Sequence, residues 1–244
     1  MSRTEPTTLR PDHRLPAGVV VAVGLAWAVL LAAQVAGSRA LDHDALLGGG
    51  RVDPAKFALF LVGWQVMVVA MMLPPSFPVL RDVAARPGRV APFLGGFALV
   101  WTGFAWCALS VDSVVHRTAD LAPWLASRHL IAAGLLALAG AAALAPVTTR
   151  CLSACRRWRA GDAVPGDAGR HVGDGARYGV LCVGCDGALM LLVFGLGKGS
   201  VAWMAVAGFA MAVMRTDRLA GSLHRWIGGA LVVAGAALMA AGLL

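Results

Sequence analysis

The stretch RYGVLCVGCDGALMLLVF, residues 177–194, decides how the rest of the chain is read. An apolar run follows Arg177, yet it carries the thiols of Cys182 and Cys185 and the acid Asp186 within its first turns. If the run is a membrane helix, the acid is an intramembrane charge and a functional candidate by default. Composition settles which it is. Hydrophobic residues fill 59% of the 244 positions and charged residues only 14%, against about a quarter charged in a soluble domain.

Working outward from that run, further apolar blocks lie at 17–36, 57–73, 90–111, 130–147, 200–214 and 226–244. With the block at 178–196 they predict an all-α, polytopic membrane helix bundle of about seven transmembrane helices. The first block is longer than the apolar core of a secretory signal, roughly 7–15 residues, and reads as a retained span. With the N-terminus inside and the C-terminus outside, the inner segments hold 15 Lys/Arg and the outer segments 6. Enrichment of basic residues in cytoplasmic connectors supports that orientation. The net charge of +8 is spread through short connectors instead of forming a basic face, which excludes nucleic acid as a partner. The bilayer is the partner that composition implies. Arginine far outnumbers lysine, and Ala and Gly abound, as in chains from GC-rich bacterial genomes.

The whole chain, residues 1–244, reads as a single integral-membrane domain with a polar cytoplasmic N-terminus, 1–15, and one long cytoplasmic loop, 150–177. The middle of that loop, AGDAVPGDAGRHVGDG, is rich in Gly, Asp and Pro and is expected to be flexible. Pro74, Pro75 and Pro78 are expected to end the second span by removing backbone donors. Residues 116–127 are expected to lie along the outer interface. Gly96 with Gly103, and Gly228 with Gly235, have the small-residue spacing that lets helices approach closely.

A cysteine pair stands at each end of the long loop. Cys151 and Cys155 share a helical face if the fourth helix runs through them. Cys182 and Cys185 share a face on the first turns of the fifth span. Antiparallel neighbours would bring the four sulfurs together, a donor set that selects Cu(I) or, less readily, Zn(II). Asp186 would add an oxygen ligand or proton acceptor. Met71 and Met72 supply thioethers, which also suit Cu(I). Set against this, buried cysteine is commonly a small hydrophobe and helix methionine a gap filler.

These segments carry a resemblance. WQVMVVAMMLPPSFP (64–78), GFALVW (96–101), LAPVTTRCLSACR (144–156) and YGVLCVGCDGALMLLVF (178–194), with Ala202-Trp203-Met204, are similar to a bacterial domain-of-unknown-function family. Its members are described as predicted metal-binding integral membrane proteins, and some are labelled copper chaperones. The resemblance implies Cys151, Cys155, Cys182 and Cys185 as ligands, with Met71 and Met72 behind them. The chain departs from the family's H-G-x-x-C-x-G-C-C-W pattern. Tyr178 stands for the histidine, Asp186 for the third cysteine and Gly187 for the tryptophan. Gly199-Ser200 replaces a Met-Asn pair, and Met214-Arg215 replaces the usual closing Glu-Lys. Asp186 for a thiol would shift preference from Cu(I) towards Zn(II).

The function so implied is a soft-metal-binding accessory protein of the bacterial inner membrane, carrying copper or zinc to or from a partner protein, and not an enzyme. The competing expectations are a membrane thiol–disulfide oxidoreductase, a transporter in which Asp186 accompanies the ion, and a scaffold subunit with structural cysteines.

Overall fold

The computed structural model describes residues 15–37, 54–85, 87–121, 128–158, 167–196, 200–215 and 220–242. They form helices α1 (Ala17–Val35), α2 (Pro54–Ala84), α3 (Val90–Leu121) and α4 (Arg128–Leu144), then α5 (Pro146–Arg157), α6 (Ala168–Leu196), α7 (Val201–Met214) and α8 (Ala220–Gly242). No strand occurs among the described residues. Helices α1, α2, α3, α6 and α8 are each long and apolar enough to cross a bilayer. α4 and α5 qualify together as a sixth crossing, broken by a 59° bend, and α7 is a shorter apolar helix. The expected all-helical membrane bundle is therefore present, and each of the seven apolar blocks has a helix. Outward-facing Leu25, Leu99, Val180 and Phe209 leave apolar surface where lipid would lie. The polar N-terminal residues 1–14, the loop middle 159–166 and the connector 197–199 lie outside the described residues.

The three prolines do not end the second span. α2 continues through Pro74, Pro75 and Pro78 to Ala84. A proline in a helix removes the donor that its i−4 carbonyl would receive, and here one of the orphaned carbonyls has a replacement partner. Pro74 frees the carbonyl of Ala70, which accepts a 3.1 Å hydrogen bond from Trp27 Nε1 of α1. Ser76 Oγ donates back to the Met72 carbonyl at 2.7 Å. A side chain from another helix thus replaces one donor that the backbone lost, while the Ser76 bond is an additional one to a carbonyl that no proline orphans.

Pro146 has the opposite outcome. Ala145, pushed to φ −64° and ψ 142°, leaves the helical region, as expected before a proline. Pro146 then opens α5 at a position where a missing N–H costs nothing. Thr148 Oγ1 caps the broken end by donating to the Ala142 carbonyl at 2.6 Å. The two cysteines at 151 and 155 thus ride on a separate short helix and not on a continuation of the fourth span. That helix is amphipathic, burying Thr148, Leu152 and Cys155.

α6 begins ten residues before the apolar run, so 168–177 is helical and not part of a flexible loop. Asp167 is the reason: its Oδ1 accepts from the Arg170 backbone N–H at 3.2 Å, the bond an N-cap acid makes. Gly175 then lets the helix lie directly on α3, since a Cβ there would fall 1.9 Å from the Phe93 carbonyl oxygen. Gly96 answers from α3, where a Cβ would meet the Val172 carbonyl oxygen at 1.9 Å. The same logic joins α4 to α8 through Gly228 and Gly235, whose added Cβ atoms would crowd Leu144 and the Ala133 carbonyl. Gly103 does not share this role, with nothing within 4 Å of its Cβ position. At about 1.5 Å per residue α6 is longer than the roughly 30 Å apolar layer. Its exposed start, with Arg170 and Arg177, leaves residues 178–196 for the crossing. Residues 116–121 extend α3 as helix, and 122–127 lie outside the described residues.

Candidate functional site

Helical spacing puts Cys182, Cys185 and Asp186 at positions i, i+3 and i+4 of α6, on one face. All three are buried, and Asp186 is 0% exposed. The Cys182 Sγ lies 3.7 Å and the Cys185 Sγ 3.4 Å from Asp186 Oδ2. Cys185 Sγ also approaches the Cys182 carbonyl at 3.3 Å. The bend at Ala145 turns the buried face of α5 towards this ridge. Cys155 Sγ arrives 3.8 Å from Cys185 Sγ. A run of contacts therefore links the three sulfurs and the carboxylate, Cys155 to Cys185 and both α6 thiols to Asp186.

Arg215, the C-cap residue of α7, fills the middle of it. Its Nη2 donates to Asp186 Oδ2 in a close charge-assisted pair. The same nitrogen lies 2.8 Å from Cys182 Sγ and 3.6 Å from Cys185 Sγ. Its Nη1 points the other way, donating to the Tyr178 hydroxyl at 2.6 Å and to Ser76 Oγ at 3.3 Å. The Tyr178 hydroxyl donates onward to Ser76 Oγ at 3.1 Å, and Ser76 to the Met72 carbonyl. Phe93, Phe97 and Trp158 pack round the Tyr178 ring at centroid distances of 5.8, 6.0 and 5.5 Å. Two polar atoms in this enclosure have no hydrogen-bond partner among the described residues: Asp186 Oδ1 and Arg215 Nε. A buried lone acceptor is costly to leave unmet.

Each sequence-predicted residue now has a place. Cys155, Cys182, Cys185 and Asp186 come together. Cys151 is half-buried and leans on α6 one residue away, where a Cβ on Gly184 would come 2.5 Å from its sulfur; the missing side chain makes the room. Met71 is buried in α2 against α7, with Gly208 packed over it. Met72 reaches the cluster through its carbonyl, by way of Ser76. Sequence reasoning missed Arg215 and Ser76. The sequence marks Arg215 only as a departure from the family pattern, although a lone intramembrane acid calls for a cationic partner.

Thiol side chains are the donor type a soft ion prefers. Two sulfurs each roughly 2.3 Å from a tetrahedral ion are about 3.8 Å apart, which is the Cys155–Cys185 separation. Yet among the described residues no group of three or more His, Cys, Asp or Glu side chains is arranged so that it could hold a metal ion, and Arg215 Nη2 lies against Cys182, Cys185 and Asp186 in this arrangement.

No curated protein and no solved structure matches the chain. A family model does, described as PpoB2, copper chaperone, over residues 61–238. The match opens inside α2, closes inside α8, and takes in every residue of the cluster.

Proposed function

The chain belongs to the PpoB2 family of copper chaperones, a membrane protein with a copper-related accessory role, and on that premise we propose that the α5–α6–α7 cluster is where it holds its cargo. Cu(I) would bind between Cys155, Cys182 and Cys185, with Asp186 supplying negative charge beside it. Soft thiolates favour Cu(I), while the carboxylate leaves Zn(II) as the second choice. Cys151, half-buried at the rim, is positioned to receive or release the ion in thiol-to-thiol exchange with a partner protein. Met71 and Met72 belong to the packing around the site. The distribution of Lys/Arg supports a position of the cluster nearer the cytoplasmic face of a bacterial inner membrane.

The observation that carries this reading is the convergence of Cys155 on Cys185 at 3.8 Å, across two helices, beside an acid with an unmet oxygen. A structural cysteine needs no such company. The thiol–disulfide oxidoreductase alternative is less well supported. Its appeal lay in a C-x-x-C at a helix N-terminus, where a thiol is activated, but Cys182 and Cys185 lie in the interior of α6.

Competitive titration of the purified, reduced protein with a chromophoric Cu(I) chelator tests the proposal. The wild type should take one Cu(I) per chain. Serine at 155, 182 and 185 together should abolish binding in a protein that still unfolds cooperatively. Equal copper retention by the triple variant would refute the assignment.

A further inference from the structure

The cluster that the preceding proposal assigns to copper already contains a cation. Arg215 Nη2 contacts Cys182 Sγ, Cys185 Sγ and Asp186 Oδ2 at once, so an ion using those three donors needs the space that this nitrogen fills. The guanidinium is held at two ends. Nη2 sits in the donor cluster, and Nη1 sits on Tyr178 and Ser76, which themselves lie outside it. Tyr178 is fixed by its aromatic neighbours and Ser76 by its bond to the Met72 carbonyl. One end of the fork can therefore swing out while the other keeps its partners.

We infer that Arg215 is an internal competitor for the cargo, a specificity-determining residue whose Nη2 must leave the Cys182–Cys185–Asp186 donors before a cation can enter, with Nη1 retained on Tyr178 and Ser76. The inference rests on the copper-binding reading of this cluster and adds what controls it. Without cargo, the guanidinium neutralises Asp186 inside an apolar bundle, where an unpaired carboxylate is strongly disfavoured. An entering ion must offer the sulfurs more than the guanidinium does. A soft ion can, because it bonds to thiolates. A hard divalent ion finds a single carboxylate in place of the six or more oxygens it prefers, and it does not dislodge the arginine. Selection for a soft ion thus comes from the occupant as well as from the ligands.

The affinity of a site that is open only part of the time is reduced by the open fraction. A minor open state of about 0.1–10% means that removing the competitor tightens apparent Cu(I) binding by about 10- to 1,000-fold. The test is the same chelator competition on reduced wild type, Arg215→Gln and Arg215→Lys in detergent, with maleimide labelling of Cys182 in copper-free protein beside it. Arg215→Gln should bind Cu(I) more tightly by that factor and label faster at Cys182. Arg215→Lys retains a positive charge for Asp186, so folding is safeguarded. Its shorter chain with a single ammonium cannot hold both ends, and it should tighten binding by a smaller factor. If wild type binds Cu(I) and both variants bind it equally or more weakly, Arg215 is no competitor, although the copper site stands. If wild type and both variants all fail to bind, the copper site falls, and this inference with it. Binding by the variants alone would mean that the arginine locks the site, the strongest form of the inference.

Discussion

The Asp186–Arg215 pair should hold α6 and α7 together in a way a double-mutant cycle can measure. The side chains are 0% and 7% exposed respectively, so neither charge has water to fall back on. Removing one partner of a buried pair leaves the other uncompensated and costs about 3–5 kcal/mol, whereas replacing both by neutral groups of similar shape is often close to neutral. Asp186→Asn and Arg215→Gln should each lower the melting temperature, and the double variant should recover most of the loss. For a chain of about 150–250 residues, 1 kcal/mol moves the midpoint by roughly 2–4 °C. Each single substitution should therefore lower it by about 6–20 °C. The eight tryptophans make intrinsic emission during thermal unfolding in detergent a direct assay. Two single variants that each shift the midpoint by less than about 2 °C, with additive effects in the double, would show that the pair is not a buried ion pair and that the site is wetter than its geometry implies.

Three other substitutions test the local physics. Trp27→Phe should destabilise by about 0.5–1.5 kcal/mol, the worth of one hydrogen bond, because the Ala70 carbonyl freed by Pro74 loses its donor; unfolding midpoints of Trp27→Phe and wild type check it. Gly175→Ala should destabilise severely, since its Cβ would sit 1.9 Å from the Phe93 carbonyl oxygen, while Gly103→Ala, with nothing within 4 Å, should be neutral or gain up to about 1 kcal/mol of helix propensity; the contrast is read from folded yield and melting temperature. Gly184→Ala meets the Cys151 side chain, its sulfur at 2.5 Å and its Cβ at 3.2 Å, so α5 must give by a few tenths of an ångström at a modest loss of melting temperature, while the Cys151 sulfur is turned outward and alkylated faster by maleimide.

Much of the bundle was legible in the sequence because hydropathy acts through composition alone. The positions of the breaks were harder, because proline does not carry its meaning by itself. Pro146 breaks the chain as expected, with Ala145 extended before it. Pro74 does not, because Trp27, 47 residues earlier in the chain, supplies the missing donor, a partnership no local pattern reveals. The start of α6 was hidden by composition: Gly and Asp at 167–175 read as loop, yet Asp167 caps a helix and Gly175 packs it against α3. The site was half legible. Spacing of three and four residues put Cys182, Cys185 and Asp186 on one ridge, and Cys151 with Cys155 on another. That Cys155 meets Cys185 while Cys151 lies against Gly184 follows from how α5 packs on α6, which spacing cannot give. The role of Arg215 was hidden, although its position stood out as a departure from the family pattern, because charge counting asks on which side of the membrane a basic residue lies, and not what it touches.

The two breaks in helix continuity, one tolerated and one taken, together make the cluster. A straight α4–α5 would carry Cys155 along the fourth span's own direction, whereas the 59° bend turns its sulfur onto α6. A helix that stopped at Pro74 would end before Ser76, whereas the continued α2 brings that hydroxyl beneath Tyr178 and the second arm of Arg215. Without the first there is no third thiol, and without the second the guanidinium loses one of the two resting partners outside the donors. The proposed loading then exchanges one cation for another beside Asp186, so the apolar bundle never encloses a bare carboxylate. Thiol protons released as metal binds add negative charge, and a guanidinium still tethered at Nη1 is close enough to offset part of it. An arginine that departed entirely would leave the loaded site with an uncompensated charge of the kind a membrane interior tolerates least, which is why retention at Tyr178 and Ser76 belongs to the mechanism as much as release from the sulfurs.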